Sequence, residues 1–183
     1  SIGMAHGMSK ALKEKGKGKV VGVIGDSTFI HSGITPLLNL AYNKGDAVIV
    51  IADNRTTAMT GMQEHPATGF TLQGEQTGQL NFAELASTLG IKSVRTIDPY
   101  DIKQTRTVMK EELARPGASV VISNRSCVLF KRHQTGPQKP LRVDPAKCIG
   151  CKVCLGLGCP PISWRKFEDM PESEIRKNAK KQE

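Results

Sequence analysis

The sequence predicts an α/β fold, a doubly wound and mostly parallel sheet, followed by a small cysteine-bearing segment at the C-terminal end. Three features predict it. Short β-branched runs recur through residues 1–124, stretches with helical spacing separate them, and four of the five cysteines fall between residues 148 and 159. Runs of Val and Ile without polar alternation suit strands buried on both faces, and strands alternating with helices imply a parallel sheet.

The elements follow in order. Met4, Ala5, Met8 and Leu12 have helical spacing, and the chain opens at Ser1 without an initiator methionine, so upstream sequence is expected to be missing and the chain is treated as a fragment. Val20 to Ile24 reads as the first strand and Ala47 to Ala52 as the second. Between them Ser32 to Asn43 carries Ile34, Leu37, Leu38, Leu40 and Ala41 at helical intervals, completing a β-α-β unit. A helix over Asn81 to Leu89 opens with a capping pair, Asn81 and Glu84. A strand over Ser93 to Ile97 follows. Asp98-Pro99 reads as the start of the next helix, with Pro at the first helical position, and Ala118 to Ser123 is the last strand. From Arg125 to Lys147 the pattern stops among prolines and basic residues. The expected organisation is a sheet domain over residues 1–124, a linker over 125–147 and a cysteine segment over 148–183.

Composition narrows the class. At 183 residues, 38% hydrophobic and 4% aromatic, the chain has the makings of one globular domain with an appendage. Nothing approaches the roughly 20 apolar residues needed to cross a bilayer, and residues 1–10 lack a signal-peptide pattern. Residues 125–183 hold 13 Lys and Arg against 6 Asp and Glu, so most of the net charge of +9 lies in the last third. Such a region suits nucleic acid, an anionic surface or an acidic protein partner, or is simply a solvated tail. Only Phe130, Trp164 and Phe167 stand among these charges, few for a single-strand groove, and neither a nucleic acid nor a membrane is expected as partner. Clustered thiols without a secretion signal point to a reducing compartment, the cytoplasm, and to a metal or iron–sulfur site rather than a disulfide framework.

Gly25-Asp26-Ser27 stands directly after the first predicted strand, and Asp53-Asn54 directly after the second. Both groups therefore lie at strand carboxyl ends, the edge where open parallel sheets bind ligands, and adjacent strands can bring Asp26 and Asn54 over one ion. Mg2+ takes about six oxygen ligands, commonly one or two from protein side chains and the rest from phosphates and water. A glycine there permits a tight turn and close approach of a diphosphate, and helix amides beginning near Ser32 face the same anion. Taken alone, the same residues also describe a strand-to-loop turn with a capping Asp.

The separation of Gly25-Asp26-Ser27 from Asn54 resembles the thiamine-diphosphate motif. The stretch Asn54-Arg55-Thr56-Thr57-Ala58-Met59-Thr60-Gly61-Met62-Gln63 is similar to the corresponding segment of the 2-oxoacid:ferredoxin oxidoreductases. Within that family, residues 25–33 and 53–66 look most like the alpha subunits of its indolepyruvate branch. The resemblance implies a thiamine-diphosphate-binding fold in which Asp26, Asn54 and the backbone carbonyl of Thr56 hold Mg2+ while Gly25, Ser27 and Thr28 lie against the cofactor. It also implies that the glutamate activating the aminopyrimidine comes from another domain, and Ser27 stands where many relatives have Gly. His31 and His65 sit beside the expected cofactor and are candidates to orient a substrate carboxylate or shuttle a proton; a hydrogen-bonded loop histidine is the plainer role for each.

Cys148, Cys151 and Cys154 form a Cys-x2-Cys-x2-Cys run, with Cys159-Pro160 after it. That spacing is characteristic of ferredoxin clusters, in which the cysteine before Pro ligates the partner cluster of a pair. The expected segment is thus a partial ferredoxin-like one that holds a [4Fe-4S] cluster, its remaining cysteines lying beyond Glu183 by the resemblance. A structural Zn2+ site is the alternative. Taken with the resemblance, the two motifs imply oxidative decarboxylation of a 2-oxoacid, and the resemblance alone implies that its side chain is aryl. Thiamine diphosphate acts as electron sink, coenzyme A captures the acyl group, a second subunit completes the enzyme, and clusters pass single electrons to ferredoxin. A non-redox thiamine decarboxylase or synthase, and a basic zinc module for nucleic acid, are the competing classes.

Overall fold

The computed structural model describes residues 1–13, 18–129, 143, 147–158 and 162–164. The chain divides into two units, Ser1–Pro137 and Gln138–Glu183. The first contains α1 (Ile2–Lys13), β1 (Val20–Gly25), α2 (Asp26–Thr28), α3 (Ile34–Tyr42), β2 (Ala47–Asp53), α4 (Phe82–Thr88), β3 (Ser93–Ile97), α5 (Ile102–Ala114) and β4 (Ser119–Asn124). The four strands pair in the order β1-β2-β4-β3, every pair parallel. β-Branched side chains stiff at χ1 favour this extended backbone. Strand periodicity sends alternate residues of β2 to opposite faces. Ala47, Ile49 and Ile51 join the core beneath α1, α3 and α4, while Val48 joins Ile97, Val108 and Val121 beneath α5.

Helices thus lie on both faces, as expected, but unevenly. Among the described residues three cover one face and α5 covers the other, over β2, β3 and β4. β1, at the edge of the sheet, leaves Val21 and Val23 40% and 59% exposed. α1 lies on β1 through Ile2, Ala5 and Ser9, with Met4 and Met8 turned to solvent. The close approach requires Gly22, since a methyl group there would stand 3.0 Å from the Ala5 Cβ.

Two helix starts differ from expectation. The helix expected from Ser32 begins six residues earlier: Asp26 opens α2, a π turn over Phe29–Gly33 follows, and α3 continues from Ile34. Phe29 is fully buried beneath this turn, its ring edge-on to Phe82 with centroids 5.7 Å apart. That packing draws the backbone into the wide turn. The helix expected from Asp98-Pro99 starts instead at Ile102, capped by Asp101, whose side chain accepts from the Gln104 amide. Asp98 is taken up elsewhere, accepting from the Tyr100 amide at 3.0 Å and pairing with Arg125 at 2.6 Å. By contrast Asn81 caps α4 as read, accepting from the Ala83 and Glu84 amides. No helix among the described residues is long and apolar enough to cross a membrane.

In the second unit Gly150 has φ 69° and Lys152 φ 60°, followed by a 3-10 turn over Val153–Leu157. The Lys152 ammonium lies 4.9 Å from the centre of the Trp164 ring.

Candidate functional site

The register that pairs Gly25 with Ala52 sets Asp26, the first residue past β1, level with Asp53, the last residue of β2, so the two loops leave the sheet side by side. Asp26 is buried. Its Oδ1 accepts from the Ser27 amide at 2.7 Å and its Oδ2 from the Asn54 amide at 3.1 Å, closing the gap between β1 and β2. Asn54 Oδ1 in turn accepts from the Thr56 amide at 3.2 Å, and the Asn54 carbonyl accepts from Cys127, half-buried just past β4. The sequence-derived pair Asp26 and Asn54 is therefore brought together, with buried Thr56 beside it.

The segment after Asn54 is a self-braced loop. Thr57 and Gln63 form an isolated antiparallel bridge, and Thr60 and the Gln63 side chain hydrogen-bond to each other in both directions. Gly61 has φ 118°, a backbone that side chains rarely adopt. Arg55 and Met62 are also left-handed, at 65° and 64°. Strain of that kind costs on the order of 1–3 kcal/mol per residue and persists where surrounding bonds impose it.

Asp53 has a different task from Asp26. Its Oδ1 accepts from the Arg55 amide and its Oδ2 from the Asn124 side chain, both at 3.1 Å, with the Arg55 guanidinium 3.4 Å away. Burial pushes its carboxyl above the ordinary value of 3.8, against the pull of Arg55. Asp53 thereby ties β2 to the end of β4. Sequence reasoning assigned neither Asp53 nor Arg55 a role, and nothing in their spacing signals this bond pattern.

Gly25 and Thr28 are exposed and Ser27 is half-buried, and of the three Ser27 borders a cavity. The conformational freedom of Gly25 is not used: its φ and ψ are −74° and 157°, ordinary extended backbone, and an added methyl group would meet nothing within 4 Å. What the missing side chain leaves is open room for a group arriving from outside.

The two histidines separate. His31 lies exposed in the π turn. His65 is buried, its Nδ1 accepting from the Ala67 amide at 3.2 Å and its Nε2 lying 3.4 Å from Asp26 Oδ2 without the alignment of a hydrogen bond. Both border a cavity of about 530 Å3 walled by Ser27, Ile30, Pro66, Phe70 and Leu72.

The donors present suit Mg2+ carried with a diphosphate. Asp26, Asn54 Oδ1 and the Thr56 carbonyl are hard oxygens, and the buried Nε2 of His65 is a donor without an aligned acceptor beside them. Among the described residues no three His, Cys, Asp or Glu side chains gather into a metal-binding group, so an ion here depends on amide, carbonyl and phosphate oxygens. The thiols do not meet the same test. Cys148, Cys151 and Cys154 are free and exposed and are not gathered about one point, while Cys159 lies outside the described residues.

The family model described as thiamine pyrophosphate enzyme, C-terminal TPP binding domain, matches residues 1–123. The indolepyruvate oxidoreductase subunit IorA of Pyrococcus horikoshii is 43% identical over 179 residues, covering 90% of this chain and 28% of that protein. The protein of the same name from Methanothermobacter thermautotrophicus is 38% identical over 169 residues, covering 92% of this chain and 26% of that one. The chain thus spans about a quarter of the length of the curated relatives it matches. Among solved structures, a Mycobacterium smegmatis enzyme described as thiamin diphosphate-dependent superposes with TM-score 0.50 at 20% identity, over 67% of this chain and 21% of that one. At that identity the likeness is one of fold.

Proposed function

Because the chain belongs to the family of thiamine pyrophosphate enzyme C-terminal TPP-binding domains, we propose that it supplies the Mg2+ and diphosphate half of a thiamine-diphosphate-dependent oxidoreductase acting on an aryl 2-oxoacid. The observation that carries this reading is the Asp26–Asn54 link across the ends of β1 and β2, with the unaligned His65 donor beside it.

Asp26, the Asn54 side-chain oxygen and the Thr56 carbonyl hold Mg2+. The room left at Gly25, together with Ser27 and Thr28, receives the diphosphate. Bound thiamine diphosphate supplies the electron sink for breaking the bond between the carbonyl carbon and the carboxylate of a 2-oxoacid. The cavity beside Ser27 takes the side chain of the substrate: Ile30, Pro66 and Phe70 offer apolar contacts to an aromatic ring, and exposed His31 on the rim receives the carboxylate. Indolepyruvate fits this chemistry, and the names of the curated relatives favour it. Those names also favour a second subunit that completes the enzyme. Coenzyme A as acyl acceptor, a [4Fe-4S] cluster at the cysteine run and ferredoxin as electron acceptor belong to the same proposal, supported by the Cys-x2-Cys-x2-Cys spacing.

The test is anaerobic reduction of a viologen dye by the full-length subunit with its partner, given indolepyruvate, coenzyme A, thiamine diphosphate and Mg2+, in wild type and Asp26→Ala. Substrate-dependent reduction that disappears in the variant is the expected result, with iron and acid-labile sulfide present in the protein. Carbon dioxide release without dye reduction would replace the redox reading with a non-redox thiamine enzyme. Zinc in place of iron would remove the cluster.

A further inference from the structure

His65 carries an inference that rests on the Mg2+–diphosphate reading and goes beyond it. Its Nδ1 faces the Ala67 N–H at 3.2 Å. That nitrogen is therefore the acceptor, and in a neutral ring the proton sits on Nε2. A ring protonated on both nitrogens would set two donors against each other at Ala67. The side chain is only 5% exposed, so the Nε2–H is cut off from water, and a buried donor left unmet costs about 1–3 kcal/mol. Asp26 Oδ2 lies 3.4 Å away, out of line, and no aligned partner is present among the described residues. A small rotation of the carboxylate satisfies the donor.

The carboxylate of Asp26 has about four lone-pair positions. The Ser27 amide takes one on Oδ1 and the Asn54 amide takes one on Oδ2. A third bond from Nε2–H to Oδ2 leaves the remaining position, on Oδ1, for the ion. We propose that His65 is a positioning residue of the metal site, holding the Asp26 carboxylate through Nε2–H in the orientation that ligates Mg2+. The ring is fixed for this by the tight turn that follows it, in which the Thr68 amide and hydroxyl both donate to the His65 carbonyl. His65 and Asp26 are 39 positions apart, and only the return of the Thr56–Gln63 loop brings them together. Contact with the substrate carboxylate is thereby left to His31.

Two substitutions separate the ring's two jobs. His65→Asn keeps an acceptor where Nδ1 meets the Ala67 amide and removes the outer donor. His65→Gln places an amide nitrogen near the position of Nε2. The full-length subunit with its partner is titrated calorimetrically with Mg2+ at saturating thiamine diphosphate, and the cofactor-free proteins are melted in parallel. His65→Asn is expected to weaken Mg2+ binding about 10–100-fold, as removal of a bond that orients a metal ligand typically does. His65→Gln should recover most of the loss, and the melting temperatures without cofactor should agree. Unchanged Mg2+ affinity in His65→Asn overturns the proposal. Equal loss in both variants, accompanied by lowered melting temperatures, also overturns it and assigns His65 to loop packing. A wild type that takes up no thiamine diphosphate in a Mg2+-dependent way overturns the site reading itself, and this inference with it.

Discussion

Replacing Phe29 with Ala is expected to loosen the strand and helix that present Asp26 to the cleft. Phe29 is fully buried, three residues after Asp26, with its ring at 75° to that of Phe82. Truncating a buried Phe costs about 3–5 kcal/mol, including the cavity left behind, and an edge-on aromatic pair adds about 0.5–1.5 kcal/mol. Collapse into the space is obstructed. Gly33 lies so close that a methyl group on it would stand 2.6 Å from the Phe29 ring, so the π turn is already seated against the ring and has to shift bodily to fill the void. The upper part of the range, about 4–5 kcal/mol, is the expectation, set against a typical domain stability of about 5–15 kcal/mol. Amide hydrogen exchange on the full-length subunit, read peptide by peptide, is the assay. A loss of about 4 kcal/mol in opening free energy speeds exchange on the order of a thousandfold in peptides covering β1 and residues 26–42. Phe29→Leu keeps most of the volume and should fall between. Exchange that is unchanged, or faster only within residues 29–33, would refute the claim that this ring locks the start of the helix to the sheet.

Gly25→Ala should leave the cofactor-free melting temperature unchanged or slightly raised, since the backbone there is ordinary and removing a glycine costs the unfolded chain about 0.4–1 kcal/mol of freedom. The same change should weaken thiamine diphosphate binding by filling the room it leaves, and calorimetry showing wild-type affinity would sink the idea that the glycine serves an incoming ligand. Asp53→Asn tests the raised carboxyl. Because the folded state keeps this proton longer than the unfolded chain does, its contribution is fully present below pH 3.8 and is lost as pH rises through the folded-state value. The cofactor-free variant should therefore lose less melting temperature than wild type as pH rises from 3.8 through the folded-state value, and parallel curves would show that burial does not dominate at Asp53.

Much of the fold was legible because its strands announce themselves. Val20 to Ile24 and Ala47 to Ala52 have no polar alternation, and the parallel sheet follows from helices between such runs. Asn81 was legible as a cap because its own side chain makes the bond. Asp98 was misleading for the converse reason. It satisfies the same local pattern as Asp101, and the choice between them is made by Arg125, from the far side of the sequence. The early helix start at Asp26 was hidden because Gly-Asp-Ser favours a turn, whereas the buried ring of Phe29 rewards continuing the helix. In the site, the pairing of Asp26 with Asn54 could be inferred from two strand ends on one edge. The approach of His65 to Asp26, and the tie from Asp53 to Asn124, depend on where loops return and leave no periodic trace.

The edge position of β1 has a bearing on how the domain behaves outside its parent protein. Among the described residues β1 pairs with a strand on one side only, and that edge, with Val21 and Val23 toward solvent, invites a second strand to add along it. That strand also leads directly into Asp26. The exposed edge and the backbone that places Asp26 therefore belong to one strand, so a second strand added along β1 would also bear on the position of that carboxylate.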